Sequence, residues 1–160
     1  MKRYTVKTNA IQLITALLSL LFFYAALSKL TNYNQSLNEM HNQVFPSLMA
    51  DVFTWLIPSL ELFTGLALWF PSSRALGLWL SLALMGAFTV YIFVVMTGVF
   101  GRIPCSCGGV LKHMSYRTHA IFNILFIALS IAGLLIHYQK LKINTMLHPN
   151  HRKEVTRKLE

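Results

Sequence analysis

Acidic residues are scarce in this sequence, and charged residues of either sign are few. Of the 160 residues, 12% are charged, and only five are acidic. Soluble domains usually carry about twice this charged fraction, so the chain cannot cover the surface of a soluble globular protein. Hydrophobic residues instead make up 55% of the chain and fall in long blocks. This pattern indicates that the lipid bilayer is the solvent.

Cysteine is also rare, since the sequence contains only Cys105 and Cys107. Two cysteines exclude a disulfide-rich scaffold and are too few for a four-ligand zinc site. The sequence has no internal repeat and no low-complexity segment. We expect one domain, because membrane-length helices and modest loops account for the chain.

Four apolar segments are long enough to cross a membrane, at about residues 10–27, 52–70, 75–100 and 118–136. They predict an all-α integral membrane protein, an antiparallel four-transmembrane-helix bundle in a single domain over residues 1–137. The basic start could mimic a secretory signal peptide, but three further spans favour an uncleaved first helix. Residues 71–74 form a tight connection, which predicts that spans two and three pack antiparallel.

The polar segment between spans one and two carries a helical apolar pattern. Its apolar residues recur three or four positions apart: Tyr33, Leu37, Met40, Val44 and Leu48. This spacing aligns them on one helix face. It predicts a short interfacial helix that is kinked or ends near Pro46, with an ordinary loop as the alternative.

The net charge of +9 comes mostly from lysines and arginines near the two termini. They flank hydrophobic spans, which argues against a nucleic-acid partner and for contact with the lipid bilayer. With four spans, ten of the 14 lysines and arginines lie on the side of the termini. The positive-inside rule therefore predicts that both termini and a basic tail, residues 138–160, lie in the cytoplasm. In a bacterium the protein would then lie in the cytoplasmic (inner) membrane, and the loop after span three would face the periplasm, an oxidising compartment.

That loop, about residues 101–117, contains both cysteines, Cys105 and Cys107, with one serine between them. Two thiols so close in sequence form a disulfide only across a sharp backbone turn. Pro104 before the pair and two glycines from Gly108 onward provide constraint and freedom for such a turn. The small ring should be strained, and strained disulfides exchange readily.

Three basic side chains in the same loop would stabilise a thiolate there: Arg102, Lys112 and His113. The residues leave three interpretations of the cysteine pair open. The pair could be a catalytic redox dithiol. It could bind a soft metal such as Cu(I), with help from Met96, Met114 or His113. It could also be a structural staple, although closing so short a loop adds little stability.

Glu61 is the single acidic residue well inside a predicted span. A charge within the bilayer is costly unless it is paired or faces a polar cavity. Glu61 could therefore be a carboxyl associated with proton transfer or with a quinone. Alternatively, it is a structural partner for Lys29, whose long side chain can reach inward from the end of span one. Both interpretations place spans one and two in contact.

His119 and Asn123 lie four residues apart near the outer end of span four, so they share one helix face. This face could form a polar pocket under the cysteine loop that positions a quinone headgroup or assists proton transfer. The alternative is interhelical hydrogen bonding, which is common for polar residues in membranes. Membrane quinone is the candidate cofactor.

Four motifs, taken in order over about residues 10 to 137, resemble the MauE branch of the DoxX-like four-helix membrane proteins. The motifs are residues 24–30 (YAALSKL), Pro58-x-x-Glu61-x-x-x-Gly65, Cys105-x-Cys107-Gly108 and His119-x-x-x-Asn123. The last motif is similar to the form in Bacteroidetes-type relatives. The resemblance implies a redox-associated membrane protein that supports maturation of methylamine dehydrogenase, a disulfide-rich periplasmic enzyme. It also implies a thioredoxin-like partner.

The sequence as a whole predicts a membrane redox protein that exchanges electrons through Cys105 and Cys107. Its partner would be a periplasmic thioredoxin-like protein or a protein that matures by forming disulfides. The first alternative is a non-enzymatic membrane scaffold or accessory subunit with a structural disulfide. The second alternative is Cu(I) handling.

Overall fold

The computed structural model describes residues 2–44, 46–100 and 116–147, with side chains over 8–44, 46–100 and 117–142. Within these residues the chain is helical apart from short turns. The helices are α1 (Lys2–Thr31), α2 (Tyr33–His41), α3 (Ser47–Trp69), α4 (Arg74–Met96) and α5 (Tyr116–Leu147). The prediction of an all-α fold is confirmed.

Four stretches are long and apolar enough to cross a membrane: Thr8–Thr31, Ser47–Trp69, Arg74–Met96 and Arg117–Lys142. They belong to α1, α3, α4 and α5, and the short α2 lies between the first two. The chain is therefore a multi-pass membrane protein, as the sequence predicts.

Contacts between neighbouring helices show an antiparallel arrangement. In each pair of helices, residues later in one helix meet residues earlier in the other. The pairs are Ser19 with Gly65 and Lys29 with Glu61 between α1 and α3, and Trp79 with Tyr138 and Ser81 with Ser130 between α4 and α5. α1 contacts α3 on one side and α5 on the other, and α4 packs against both α3 and α5.

Several helix ends differ from the predicted span limits. α1 (Lys2–Thr31) extends beyond both ends of the predicted span 10–27, and α3 begins at Ser47 instead of near residue 52. α4 ends at Met96 instead of near residue 100, because Gly98 takes a left-handed conformation, with a φ of 72°, that stops the helix. α5 continues to Leu147, whereas the sequence predicts that the tail begins at residue 138. No glycine or proline interrupts residues 134–147, and Pro149 follows soon after, so the helix has no reason to stop at the membrane surface.

The core lies where α1, α4 and α5 meet, with one residue from α3. It is built from buried aliphatic and aromatic side chains: Ile14, Leu18, Phe22, Leu68, Leu78, Met85 and Leu134. Many other large apolar side chains point outward, including Leu20, Val90 and Ile121. An outer surface of this kind is suited to contact with lipid tails.

α2 packs beside the first half of α3. The Tyr33 ring lies 5.1 Å from the Trp55 ring, measured between centroids. α2 ends at His41 and α3 begins directly after Pro46, so the expected interruption near that proline is present. Gln43, between the helices, is 1% exposed and accepts a 2.6 Å hydrogen bond from the Tyr91 hydroxyl of α4.

Candidate functional site

A buried ion pair joins the end of α1 to the middle of α3. Lys29 Nζ lies 2.8 Å from Glu61 Oε1 and 3.0 Å from Glu61 Oε2, and it also donates to the Ala25 carbonyl at 3.3 Å. The side chain of Glu61 is 3% exposed and that of Lys29 is 17% exposed. The two residues considered as partners from the sequence are therefore in direct contact.

Local structure explains why Lys29 can reach this position. It lies in the last turn of α1, where free carbonyl groups favour a cation. Its own carbonyl accepts a 3.1 Å hydrogen bond from the Ser36 hydroxyl, which ties the start of α2 to the end of α1. The backbone of Lys29 is therefore held by Ser36, and its ammonium group is held by Ala25 and Glu61.

The depth of Glu61 is set by close packing of α1 against α3. The Ser19 hydroxyl donates a 3.0 Å hydrogen bond to the Gly65 carbonyl. A β-carbon at Gly65 would lie 3.2 Å from the ring of Phe23, so only glycine allows this approach without movement. Because Glu61 is one turn before Gly65, its carboxylate faces α1 and meets Lys29.

His119 is in the first turn of α5, a helix that packs against α1. The ammonium group of Lys29 is close enough to act electrostatically on the His119 ring. Side-chain packing supports the same alignment of α1 with α5, because Ile14 borders Gly133 further along the two helices. The structure therefore places His119 on a helix that packs against α1, within electrostatic reach of Lys29.

Asn123 lies one turn further along α5, on the face that carries His119. It is 2% exposed, and its amide nitrogen Nδ2 has no hydrogen-bond partner among the described residues. A buried amide without a partner costs about 1–3 kcal/mol. The expected alternative, an interhelical hydrogen bond from this amide nitrogen, is not made within the described part of the chain. The arrangement leaves a donor available for an acceptor such as a carbonyl oxygen.

The matched family model is described as methylamine utilisation protein MauE, and it covers residues 7–136. This chain belongs to the MauE family. The match runs from the first helix into α5. It includes the cysteine pair and four polar residues of the helices: Lys29, Glu61, His119 and Asn123. No curated protein and no solved structure matches the chain. The resemblance to MauE is therefore confirmed, and its DoxX-like and Bacteroidetes-type details stay predictions.

Five predicted site residues of this MauE-family chain lie outside the described residues: Arg102, Cys105, Cys107, Lys112 and His113. The segment that contains them follows α4 and precedes α5, and His119 is in the first turn of α5. The helix that follows this segment, α5, therefore begins at the end of the bundle where His119 and Lys29 lie. No group of three or more His, Cys, Asp or Glu side chains suited to a metal occurs within the part of the chain that the structure describes.

Sequence patterns did not identify two other contacts between the helices. No sequence motif predicts the hydrogen bond from Tyr91 to Gln43, because it joins a helix to a turn that is distant in the sequence. No sequence motif predicts the hydrogen bond from Ser19 to the Gly65 carbonyl either. A small polar residue within an apolar span is the only signal that could have marked Ser19.

Proposed function

We propose that this chain is a membrane redox protein that uses Cys105 and Cys107, outside the cytoplasm, for thiol-disulfide exchange with periplasmic proteins. Membership of the MauE family, together with a Cys-x-Cys pair as the chain's only cysteines, carries the proposal. The family's description adds an association with methylamine utilisation. The partner in this proposal is a thioredoxin-like protein or a protein that matures by forming disulfides.

The proposed exchange balances as a two-electron reaction. A thiolate of the partner attacks one sulfur of the Cys105–Cys107 disulfide, and a mixed disulfide forms while the other sulfur leaves as a thiolate. The partner's second thiolate then displaces this linkage. The partner is oxidised to a disulfide, the pair is reduced to a dithiol, and two protons pass from the partner to the pair. Run in reverse, the same steps reduce a disulfide in the partner.

Proposed turnover needs a second electron acceptor, because the chain has no other cysteine pair. A membrane quinone fits this need: the dithiol gives two electrons and two protons, forming a quinol and restoring the disulfide. Two observations support a quinone beside α5. Asn123 has a buried donor without a partner among the described residues, and His119, one turn earlier on the same face, lies within electrostatic reach of Lys29. Carbonyl oxygens of a quinone are acceptors of the kind that Asn123 could serve.

The orientation belongs to the same proposal. Ten of the 14 lysines and arginines fall on the side of the termini, which favours a cytoplasmic location for both ends in a bacterial inner membrane. The cysteine loop then faces the periplasm, where disulfide chemistry is maintained. This location gives Cys105 and Cys107 access to secreted partner proteins.

Trapping of a mixed disulfide tests the exchange. Either Cys105→Ser or Cys107→Ser should stabilise a covalent adduct with a partner, visible on non-reducing gels and lost on reduction. Ser106→Ala is the matched control, because it changes the residue between the cysteines and keeps both thiols. The wild-type pair should titrate reversibly at a potential well above about −300 mV, the upper limit typical of structural disulfides.

Other outcomes would favour the alternatives. Normal growth on methylamine and normal partner maturation in the Cys105→Ser/Cys107→Ser double variant would indicate an accessory subunit with a structural disulfide. Tight Cu(I) binding by the reduced protein, weakened by Met114→Leu, would indicate copper handling. Either result would contradict the redox proposal.

Quinone use is tested separately with purified protein, a dithiol partner and a short-chain quinone. Asn123→Leu should slow quinone reduction while leaving mixed-disulfide formation intact, because it removes the donor and not the thiols. Ser130→Ala is a control on the same helix, since it removes a hydroxyl that already bonds to Ser81 at 2.8 Å. Equal rates of quinone reduction by Asn123→Leu and wild-type protein would show that quinone does not bind at Asn123.

A further inference from the structure

A second polar cluster lies at the opposite end of the bundle. It is formed by the start of α4 and by the last turns of the membrane-length stretch of α5, Arg117–Lys142. Arg74 is the first residue of α4, and His137 and Lys140 lie near the end of α5. A hydrogen bond from Trp79 of α4 to Tyr138 of α5, the residue after His137, joins the early part of α4 to this part of α5. Three basic side chains from two helices therefore lie at this end of the bundle, and the charges of Arg74 and Lys140 reach the His137 ring.

Arg74 has no anionic partner in the described part of the chain. Its Nε is buried and makes no hydrogen bond among the described residues. The salt bridges found there join Lys29 to Glu61 and His41 to Asp51, so neither involves Arg74. A guanidinium group with a buried, unsatisfied donor is costly unless an acceptor from outside completes it.

The start of α4 adds to the positive character of this place. Ser73 is the N-cap residue, but its hydroxyl bonds to the Ala67 and Phe70 carbonyls and does not cap the helix. No acidic residue lies in the first turn of α4. The partial positive charge of the helix start therefore adds to the charge of Arg74.

Aromatic side chains place this cluster at the level of lipid headgroups. Trp69, Trp79 and Tyr138 are each at least half exposed, and all three lie near the same end of the bundle. Trp79 Nε1 donates a 3.2 Å hydrogen bond to the Tyr138 hydroxyl. Exposed tryptophan and tyrosine are typical of the membrane–water interface.

We propose that Arg74 and His137, with Lys140 beside them, bind the phosphate of an anionic phospholipid. A guanidinium group can form paired hydrogen bonds to phosphate oxygens, which would supply the acceptor that Arg74 Nε lacks. Basic pockets between membrane helices bind anionic lipid headgroups in this way. The site is distinct from the cysteine pair and does not depend on the redox function proposed for it.

The test uses full-length protein in detergent, mixed with phosphatidylglycerol or phosphatidylcholine and examined by native mass spectrometry. Wild-type protein should retain phosphatidylglycerol in preference to phosphatidylcholine. Arg74→Gln should weaken this retention roughly tenfold, as expected for the loss of one charge-assisted contact. Lys142→Gln is the matched control, because it removes one positive charge from an exposed position on the same end of α5, and it should retain the lipid nearly as wild type does.

Further arms separate the lipid from other anions and from misfolding. Arg74→Lys keeps the charge but not the paired donors, so it should show intermediate retention with an unchanged thermal midpoint in the absence of lipid. Inorganic phosphate should not displace the bound phosphatidylglycerol. Displacement by inorganic phosphate, or equal losses in Arg74→Gln and Lys142→Gln, would overturn the assignment.

Discussion

At the scale of single residues, the Lys29–Glu61 pair explains how a carboxylate is tolerated deep in a membrane helix. Glu61 accepts two hydrogen bonds from one ammonium group, at 2.8 and 3.0 Å. Removing one member of a buried pair leaves the other charge uncompensated, which is far more costly than removing both. The pair therefore contributes to stability mainly as a unit.

This argument gives a prediction for the buried pair. Lys29→Met should lower the free energy of unfolding by about 3–5 kcal/mol, because it leaves the Glu61 carboxylate without its partner. Lys29→Met/Glu61→Gln should recover most of that loss. Unfolding of detergent-solubilised protein by a denaturing detergent, followed by circular dichroism, measures both variants.

The exposed pair between His41 and Asp51 is the control for this prediction. Its two atoms are also 2.8 Å apart, but its side chains are 39% and 57% exposed. Asp51→Asn should therefore change the free energy of unfolding by about 0–1 kcal/mol. Losses of similar size in Asp51→Asn and Lys29→Met would contradict the argument that burial makes the Lys29–Glu61 pair critical.

At the scale of helices, two glycines of α4 have opposite surroundings. A β-carbon at Gly77 would lie 2.7 Å from the backbone nitrogen of Leu68 and 2.9 Å from the carbonyl carbon of Ala67. Nothing lies within 4 Å of a β-carbon built at Gly86. The first glycine thus lets α4 approach the backbone of α3, whereas the second has open space.

We expect the two glycine-to-alanine substitutions to differ in sign or size. Gly77→Ala should lower the free energy of unfolding by about 1–3 kcal/mol, because backbone atoms of α3 would have to move. Gly86→Ala should be neutral or stabilise the helix by up to about 1 kcal/mol through helix propensity. Both are measured by the same unfolding assay, and equal losses would show that α3 and α4 pack less closely than described.

At the scale of the whole molecule, membrane orientation determines which compartment the cysteine pair can serve. In the proposed orientation, which rests on four membrane-length helices, the α3–α4 connection lies on the side opposite the cysteine loop. Ser72 in that connection is exposed. It is therefore a reporter for the side opposite the cysteine loop.

Labelling of intact cells checks the proposed orientation. After reduction, a membrane-impermeant maleimide should label Cys105 and Cys107 in intact spheroplasts, because the proposal places them outside the cytoplasm. In a variant with both cysteines changed to serine, Ser72→Cys should react only after the membrane is permeabilised. Labelling of Ser72→Cys in intact spheroplasts would show that the orientation is the reverse of the one proposed. The cysteine pair could then not serve periplasmic partners.

Much of the fold could be predicted from the sequence alone. Long apolar blocks determine membrane helices, because an unpaired backbone in the bilayer core is too costly for other structures. The same logic singled out Glu61, since a lone acid in an apolar span needs a partner. The ends of α4 and α5 were less predictable, because hydropathy marks the hydrocarbon limits and not the residues at which a helix stops.

The sequence by itself determined the class of this protein, its MauE family and the pair of cysteines on which its proposed chemistry rests. Only the tertiary structure decided which polar residues meet. It joined Glu61 to Lys29, brought His119 within electrostatic reach of Lys29, and left Asn123 and Arg74 without hydrogen-bond partners for their buried nitrogens among the described residues. The physical reason is that pairing across helices depends on their relative depth and rotation, which no local pattern of residues encodes.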